Sequence, residues 1–190
     1  MKKIFLFTTT LFVVGLFSAS AQVPLRIHAN FGIAQATGDF AGDDLNIGIG
    51  YTINARYMFT EKLDAGLEYD ASAIVTVDVD GADADATGLT GYMVKGYYSF
   101  FKSKVTPYFG LGLGLVNIEY PTVTITDSNG NETVFEGEST TNFGLAPEVG
   151  LYLGGFTLGA KYTTAGDTPD GSATANYIRY FAGWTFSFGE

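Results

Sequence analysis

A strict two-residue alternation constrains this chain more than any other feature of its sequence. In residues 45–59, LNIGIGYTINARYMF, every second position is apolar or aromatic, and the positions between them are small or polar except Met58. A period of two is typical of a β-strand with two unlike faces. A soluble sheet turns its polar face to water, whereas a membrane barrel turns its apolar face to lipid.

Residues 1–21 are predicted to be a secretory signal peptide rather than part of this sheet. Two lysines precede a long apolar run, and Ala19 and Ala21 occupy the small-residue positions of a signal-peptidase site. The mature domain is therefore expected to comprise residues 22–190. No later stretch contains the roughly 18 to 20 apolar residues that a transmembrane helix needs. If this chain spans a membrane, strands must do so.

The same alternation recurs in eight segments along the mature chain. They span residues 25–33, 45–59, 63–75, 91–100, 109–115, 142–153, 156–162 and 177–188. Their connections are alternately long (residues 36–44, 77–87, 121–140 and 165–174) and short (residues 60–62, 102–106 and 154–155). This order predicts an all-β fold, an eight-stranded antiparallel up-and-down barrel with both termini on the short-turn side.

The polar face has the composition of a narrow barrel interior. It carries twelve glycines, whereas the apolar face carries only Gly96. Glycine weakens a solvated strand, but small residues fit where interior space is scarce. The apolar face also concentrates phenylalanine next to the short turns and the C-terminus, as in a membrane-interface girdle, at Phe59, Phe100, Phe109, Phe156 and Phe188.

The ionisable residues of the strands all fall on the polar face. A charge that faces lipid at mid-depth costs up to about 2 to 4 kcal/mol, so this face is predicted to be the lumen of a transmembrane barrel. The predicted lumen ion network consists of Arg26, Arg56, Asp64, Glu68, Asp70, Lys95, Glu148, Lys161 and Arg179. Five basic and four acidic groups nearly balance, so ion pairs are expected to plug the narrow interior.

One of these pairs can be placed from the sequence. A two-residue turn at Gly154 and Gly155 would put Glu148 directly opposite Lys161 on neighbouring strands. We expect the two to attract one another across the ladder.

With these features the mature chain resembles the small eight-stranded outer-membrane β-barrel proteins, of the OmpX kind and the transmembrane domain of OmpA. Its C-terminal GWTFSFGE is similar to their insertion signal, with Gly183, Phe186 and Phe188 at the matching positions. Phe181 stands where that pattern prefers a polar residue, and two residues follow Phe188. The resemblance implies the outer membrane of a Gram-negative-type bacterium, periplasmic termini and a barrel-insertion machinery as partner. It does not decide function, because this fold hosts adhesins, lipid A enzymes, small channels and structural proteins.

Catalysis would need a nucleophile and a base within reach of one another. His28 is the only histidine, and no serine lies near it in the sequence. A lone histidine in a lumen is more often a hydrogen-bonded filler than a catalytic base. We therefore expect no enzyme activity and no cofactor.

An acidic stretch in the second long connection is a weak candidate for a metal site. Asp78, Asp80, Asp83 and Asp85 surround Gly81, and carboxylates around a turn glycine suit Ca²⁺. Their spacing does not match the EF-hand loop, and a solvated acidic loop is the favoured interpretation.

The long connections are acidic as a group. They carry thirteen Asp or Glu and no Lys or Arg, and the mature chain has a formal charge of −12. Such a charge argues against nucleic acid as a partner. We expect these loops to face the cell exterior and to contact lipopolysaccharide, outer-membrane lipid or a protein.

The third long connection, residues 121–140, is predicted to form a hairpin of its own. Asn129 and Gly130 favour a two-residue turn that would pair Thr126 with Thr133, so strands five and six would continue as a ribbon beyond the membrane. The same turn would pair Ile125 with Val134 and set Asp127 against Glu132. The edge of such a ribbon could capture a strand of an extracellular protein.

The sequence thus predicts a non-enzymatic outer-membrane barrel with a plugged polar lumen and a structural, adhesive or surface-interaction role. The alternative is a small channel or carrier, in which the upper barrel opens laterally to small apolar molecules. A lipid-modifying barrel enzyme ranks third.

Overall fold

The computed structural model of the protein describes residues 24–41, 45–77, 84–120, 123–126 and 132–189. Its strands are β1 (Leu25–Thr37), β2 (Leu45–Met58), β3 (Leu63–Val77), β4 (Ala84–Ser99), β5 (Val105–Glu119), β6 (Val123–Thr126), β7 (Glu132–Phe135), β8 (Ser139–Leu153), β9 (Phe156–Asp167) and β10 (Thr174–Phe188). One short 3-10 helix, Gly38–Phe40, follows β1. None of the described residues forms a helix long and apolar enough to cross a membrane. The predicted signal peptide lies outside the described residues.

Eight of the strands close into a barrel, in the order β1-β10-β9-β8-β5-β4-β3-β2. Every neighbouring pair is antiparallel, and β1 closes the barrel against β10 from Leu25 and Phe188 to Thr37 and Asn176. Each strand pairs with its sequence neighbour, apart from the closure and the short β6–β7 hairpin between β5 and β8. The predicted eight-stranded up-and-down barrel is confirmed.

The strands are longer than their alternating segments. β3 and β4 stay paired up to Val77 and Ala84, so the second long connection shrinks from residues 77–87 to residues 78–83. β5 begins at Val105, inside the predicted short connection 102–106. Backbone pairing does not depend on the side chains, so it continues beyond the alternating segments. The alternation fades there because the two faces of a strand no longer meet different surroundings.

The burial of side chains confirms that the hydrophobicity of the barrel is inside-out. Large apolar residues remain exposed on the outer surface, for example Leu67 at 68% and Phe143 at 66%. Arg56 and Arg179, by contrast, are completely buried in the lumen. The outward face is the one that the alternation assigned to lipid.

Several lumen glycines make room for a large neighbour on the adjacent strand. Gly110 pairs with Tyr97 of β4, and a Cβ atom on Gly110 would lie 2.8 Å from the Tyr97 ring. Gly159 pairs with Phe181, whose ring would be 2.5 Å from such an added atom. Phe181 therefore fits into the lumen because its partner has no side chain.

The third long connection continues the barrel as a two-stranded ribbon. β5 and β8 pair up to Glu119 and Ser139, and Val123 of β6 then pairs with Phe135 of β7 in the same register. Between these pairs, the Tyr120 amide donates a hydrogen bond of 2.8 Å to the Glu138 carbonyl. The predicted ribbon is present.

The predicted register of this ribbon is wrong by one residue. Thr126 pairs with Glu132 rather than Thr133, and Ile125 pairs with Thr133 rather than Val134. This register differs from the one that a two-residue turn at Asn129 and Gly130 would impose, and residues 127–131 themselves lie outside the described residues. The fifteen consecutive pairs between β5 and β8 set the register, and they outweigh a local turn preference.

Candidate functional site: the barrel lumen

The lumen has two layers with different chemistry. The lower lumen, on the short-turn side, contains all nine charged residues of the predicted network and the tyrosines Tyr97, Tyr108 and Tyr152. The upper lumen, on the side of the long connections, is an apolar cluster of Ala34, Ala36, Ile74, Leu89, Met93, Val116, Ile118, Ala146, Ala165, Ala175 and Tyr177.

Three acids and three bases form the centre of the lower lumen. Lys95 of β4 contacts Glu68 of β3 at 3.1 Å and also binds Glu148 of β8. Lys161 of β9 lies 3.1 Å from the other oxygen of Glu68. These side chains are almost completely buried. Lys95 thereby joins β4 to β3 and β8, and Lys161 joins β9 to β3 across the interior. The balanced charges compensate one another where water is scarce.

Asp70 is the most heavily used acceptor of this centre. It binds Lys161 and Arg179, and it accepts hydrogen bonds from the Tyr177 hydroxyl at 2.9 Å and the Thr52 hydroxyl at 2.6 Å. These four partners come from β2, β9 and β10, whereas Asp70 belongs to β3. Asp70 therefore ties together strands on different sides of the barrel.

A second cluster closes the lumen nearer the short turns. Asp64 accepts from Arg26 at 2.6 Å and from Arg56 at 3.4 Å. Arg56 also donates to the Tyr152 hydroxyl at 2.8 Å, and its guanidinium lies 4.1 Å from the centre of the Tyr97 ring. A buried guanidinium stacked on an aromatic face gains a cation–π contact there.

Tyrosine hydroxyls complete this network, and the sequence-based prediction omitted them. Tyr97 donates to Glu68 at 3.0 Å, and Tyr108 donates to Glu148 at 2.7 Å while its ring stacks on Tyr152. Tyr97, Tyr152 and Tyr177 have the same alternation parity as the charged residues of their strands. The alternation thus placed these three tyrosines on the lumen face, although the predicted ion network named charged residues only.

The predicted position of Glu148 opposite Lys161 is confirmed by the register of β8 and β9. Their charges nevertheless go to other partners, because Glu148 binds Lys95 and Tyr108 while Lys161 binds Glu68 and Asp70. Long lysine side chains reach across a narrow lumen as easily as along its wall.

His28 is buried in the lower lumen between an amide and an aromatic ring. Its Nδ1 is 3.3 Å from the Asn54 amide nitrogen, and its ring meets Phe181 edge-on. These neighbours are those of a buried packing histidine.

The apolar upper lumen was not foreseen, since the whole inner face was expected to be polar. Its members include Ile74, Leu89 and Ile118, which continue the lumen parity beyond the charged residues. Phe40 and Ala41 of the first long connection pack against the same cluster and cover it. The upper lumen is therefore a small hydrophobic core enclosed by a barrel whose outer surface is also apolar.

Below the charged layer the barrel mouth opens into a cavity of about 510 Å³ on the short-turn side. Arg26 and Tyr152 contribute to its wall, together with Thr106 and Thr185. The cavity ends against the lower lumen, where Arg56 is completely buried.

No metal centre is found among the described residues, in which no group of three or more His, Asp and Glu could hold an ion. Asp78, Asp80 and Asp83 lie outside these residues, and only the backbone of Asp85 is described. In the fourth long connection, hydrogen bonds from Thr168 and Ser172 lower the pKa of Asp170. That loop carboxylate is therefore charged at neutral pH.

The C-terminal residues of the predicted insertion signal lie in β10. Gly183 pairs with Asn30, and a Cβ atom on Gly183 would lie 2.3 Å from the Ala29 carbonyl oxygen, so only glycine fits. Phe186 is exposed on the outer surface and Phe188 is partly so. Their role in insertion stays a prediction.

Comparison with known sequences agrees with this architecture. The family profile described as outer membrane protein beta-barrel domain matches residues 8–186. Among curated proteins, none matches the chain.

Solved structures with a similar barrel come from several bacteria. Neisserial surface protein A (NspA) superposes with a TM-score of 0.60 at 20% identity, covering 86% of this chain and 97% of NspA. Ail, the attachment invasion locus protein of Yersinia pestis, in complex with the heparin analogue sucrose octasulfate, has a TM-score of 0.49 at 16% identity, with coverage of 87% and 99%. OprG from Pseudomonas aeruginosa has a TM-score of 0.49 at 12% identity, with coverage of 88% and 98%. At such identities the likeness to NspA concerns the fold alone, and the two lower scores add nothing to it.

Proposed function

The chain belongs to the outer membrane protein beta-barrel domain family, and on that premise we propose that it is a non-enzymatic surface-interaction protein whose lumen is plugged. Its barrel holds the long connections at the outer surface of the cell, with both termini in the periplasm. The single observation that carries this proposal is the buried, charge-balanced centre of the lower lumen.

The centre supports a plugged barrel because its groups occupy the interior and compensate one another. Lys95, Lys161 and Arg179 face Glu68, Asp70 and Glu148, and all six side chains are almost completely buried. Opening a water-filled path here would require several ion pairs and hydrogen bonds to separate. Eight strands also enclose little more space than their inner side chains fill.

The outer surface supports an interaction role. The β6–β7 ribbon continues the register of β5 and β8, so it is held by the barrel rather than by its own short ladder. A two-stranded ribbon has backbone groups along its edges that can pair with a partner strand. We propose an extracellular protein as the partner of residues 121–140.

Further partners follow from the location. The exposed apolar belt contacts outer-membrane lipid, and the acidic connections approach lipopolysaccharide, whose own anionic groups would require bridging cations. Gly183, Phe186 and Phe188 remain the proposed contacts of the barrel-insertion machinery.

The proposal of a plugged lumen is tested by conductance in planar lipid bilayers. The refolded protein should produce no steady pores. The matched comparison is Asp70→Ala, which removes an acceptor from the centre and should raise the frequency of transient openings. Steady pores of one defined size in the unmodified protein would refute the plugged lumen.

The role of the ribbon is tested by deleting residues 122–138 and joining β5 to β8 with a short turn. The control replaces residues 78–83 with a two-residue turn between Val77 and Ala84, which are already paired. Both variants should fold in lipid vesicles, and only the first should lose binding to cells, matrix protein or a co-expressed partner. Unchanged binding by the ribbon-less barrel would refute the interaction role, and failure of that variant to fold would make the ribbon structural.

A further inference from the structure

The cavity at the short-turn mouth of the barrel is lined by hydrogen-bond donors from three strands. Arg26 of β1, Tyr152 of β8 and Ser187 of β10 all contribute to its wall. They are neighbours, because Arg26 donates through Nε to the Ser187 hydroxyl at 3.3 Å and its guanidinium lies 5.6 Å from the centre of the Tyr152 ring. The Tyr152 hydroxyl itself accepts from Arg56 at 2.8 Å. A hydroxyl that accepts a hydrogen bond keeps its own hydrogen to donate, so the wall offers a guanidinium and two hydroxyl groups to one ligand.

The charged groups next to this wall carry one positive charge in excess. We call Arg26, Arg56 and Asp64 the mouth cluster. The two arginines are direct neighbours in the ladder between β1 and β2, where like charges repel. They share the single carboxylate of Asp64, at 2.6 Å from Arg26 and 3.4 Å from Arg56. At the rim of the cavity, the exposed pair of Lys102 and Glu61 at 3.8 Å adds no net charge.

The guanidinium of Arg56, directly behind the wall, is only partly compensated. Its Nη1 donates to Asp64 and Tyr152. Its Nε and Nη2 are buried and have no hydrogen-bond partner among the described residues. A buried charge is costly unless it is paired. A negative charge bound in the cavity would therefore stabilise Arg56 as well as Arg26.

The remainder of the cavity suits the organic part of a small molecule. Pro24, Met58 and Phe101 add apolar surface to its wall. Its volume of about 510 Å³ falls in the range of roughly 300 to 1,000 Å³ that is typical of small-molecule sites. The cavity therefore has room for an apolar group beside the charged one.

We propose that the short-turn cavity binds a small organic carboxylate, which accepts hydrogen bonds from the Arg26 guanidinium and from the Ser187 and Tyr152 hydroxyls. Its single negative charge matches the single excess charge of the mouth cluster, and hydrogen bonds from a guanidinium to a carboxylate are among the strong ones. The site lies at the end of the barrel opposite the long connections. It is therefore independent of the proposed surface interaction.

Methionine methyl groups report on this site by NMR. Residues 22–190 contain two methionines, Met58 in the cavity wall and Met93 in the upper lumen. The protein is labelled with ¹³C at these methyl groups, placed in phosphatidylcholine nanodiscs and titrated with benzoate. Benzamide, which has the same ring and no charge, is the matched probe. Benzoate should shift the Met58 signal to saturation and leave the Met93 signal in place, whereas benzamide should shift neither.

Substitutions in the wall should change the Kd for benzoate in opposite directions. Arg26→Gln should raise it about tenfold and Ser187→Ala about threefold, since each removes a donor to the bound charge. Asp64→Asn should lower it, because the arginines lose their competing carboxylate. Lys104→Gln removes a charge from the same end of the barrel but outside the cavity wall, and should change the Kd by less than about twofold. Ser187 is exposed, so its variant keeps the test decisive if a change in the buried cluster prevents folding.

Three results would overturn the proposal. The first is a Met58 signal that does not respond to benzoate or responds equally to benzamide. The second is an unchanged Kd in both Arg26→Gln and Ser187→Ala. The third is weaker binding by a folded Asp64→Asn variant, which would show that the excess charge of the mouth cluster is not what the ligand recognises.

Discussion

The lower and upper lumen are built by the same strands and the same side-chain parity, yet they are held together by different forces. In the lower lumen, directional contacts join distant strands, as when Asp70 of β3 binds Lys161 of β9 and Arg179 of β10. In the upper lumen, non-directional packing of residues such as Ile74, Leu89 and Ile118 fills the space. The ladder between β8 and β9 has a gap between Glu148 and Leu145, and this gap lies beside the apolar half. A polar network therefore fixes the distance between distant strands through specific donors and acceptors, whereas apolar packing holds its strands together only through the closeness of the fit.

The largest effect is expected from Asp70→Ala in the lower lumen. The substitution leaves two buried cations and two hydroxyls without their shared acceptor, so the free energy of unfolding should fall by about 3 to 5 kcal/mol. Urea unfolding in lipid vesicles measures the change. Asp39→Ala, at an exposed carboxylate of the 3-10 helix, should change the same quantity little. A similarly small effect at Asp70 would show that the network does not hold the lower lumen.

Ile74→Ala is the corresponding test of the upper lumen. Loss of a buried aliphatic side chain should lower the free energy of unfolding by about 2 to 5 kcal/mol, since a closed interior refills the space poorly. Ile49→Ala removes the same atoms from the outer surface, where Ile49 is 58% exposed and lipid chains can fill the gap. Equal losses in vesicle unfolding would indicate that the upper lumen is not a packed core.

Gly110→Ala sharpens the comparison by adding one atom to the crowded lower lumen. The new Cβ would lie 2.8 Å from the Tyr97 ring, and such overpacking should cost about 1 to 3 kcal/mol. Gly91→Ala is the matched control, because its Cβ would meet its nearest neighbours at 3.5 Å, an ordinary contact. In a Tyr97→Ala background the cost at Gly110 should vanish. Persistence of the cost would place the strain elsewhere.

The smallest effect concerns which charges are coupled. A double-mutant cycle of Lys95→Ala and Glu148→Ala should give a coupling of about 0.5 to 3 kcal/mol, because the two groups are in contact. The cycle of Lys161→Ala and Glu148→Ala should give a smaller value, although these residues are direct neighbours in the ladder. A larger coupling for the second cycle would mean that strand neighbours, rather than partners across the lumen, carry the interaction.

Which side chains point into the lower lumen was predictable from the alternation within each strand. Asp64, Glu68 and Asp70 were assigned to the interior because they alternate with residues suited to lipid, and all three are buried there. The apolar upper lumen was missed for the same reason, since a residue such as Ile74 interrupts the polar pattern of its own face. The gap in the ladder between β8 and β9 at Ala146 and Pro147 was also missed, because a proline in an alternating segment does not reveal on which side its neighbour lies.

The sequence by itself determined the barrel, its strand count and its inside-out arrangement, because a period of two separates the faces of every strand independently of the others. Only the tertiary structure decided which charges meet, since closure brings Asp70 within reach of Lys161 and Arg179, far away along the chain. It also decided the pairing of the ribbon, where Thr126 meets Glu132. There the long ladder between β5 and β8 overrides the turn preference of Asn129 and Gly130, because each added strand pair reinforces one register whereas a turn contributes only once.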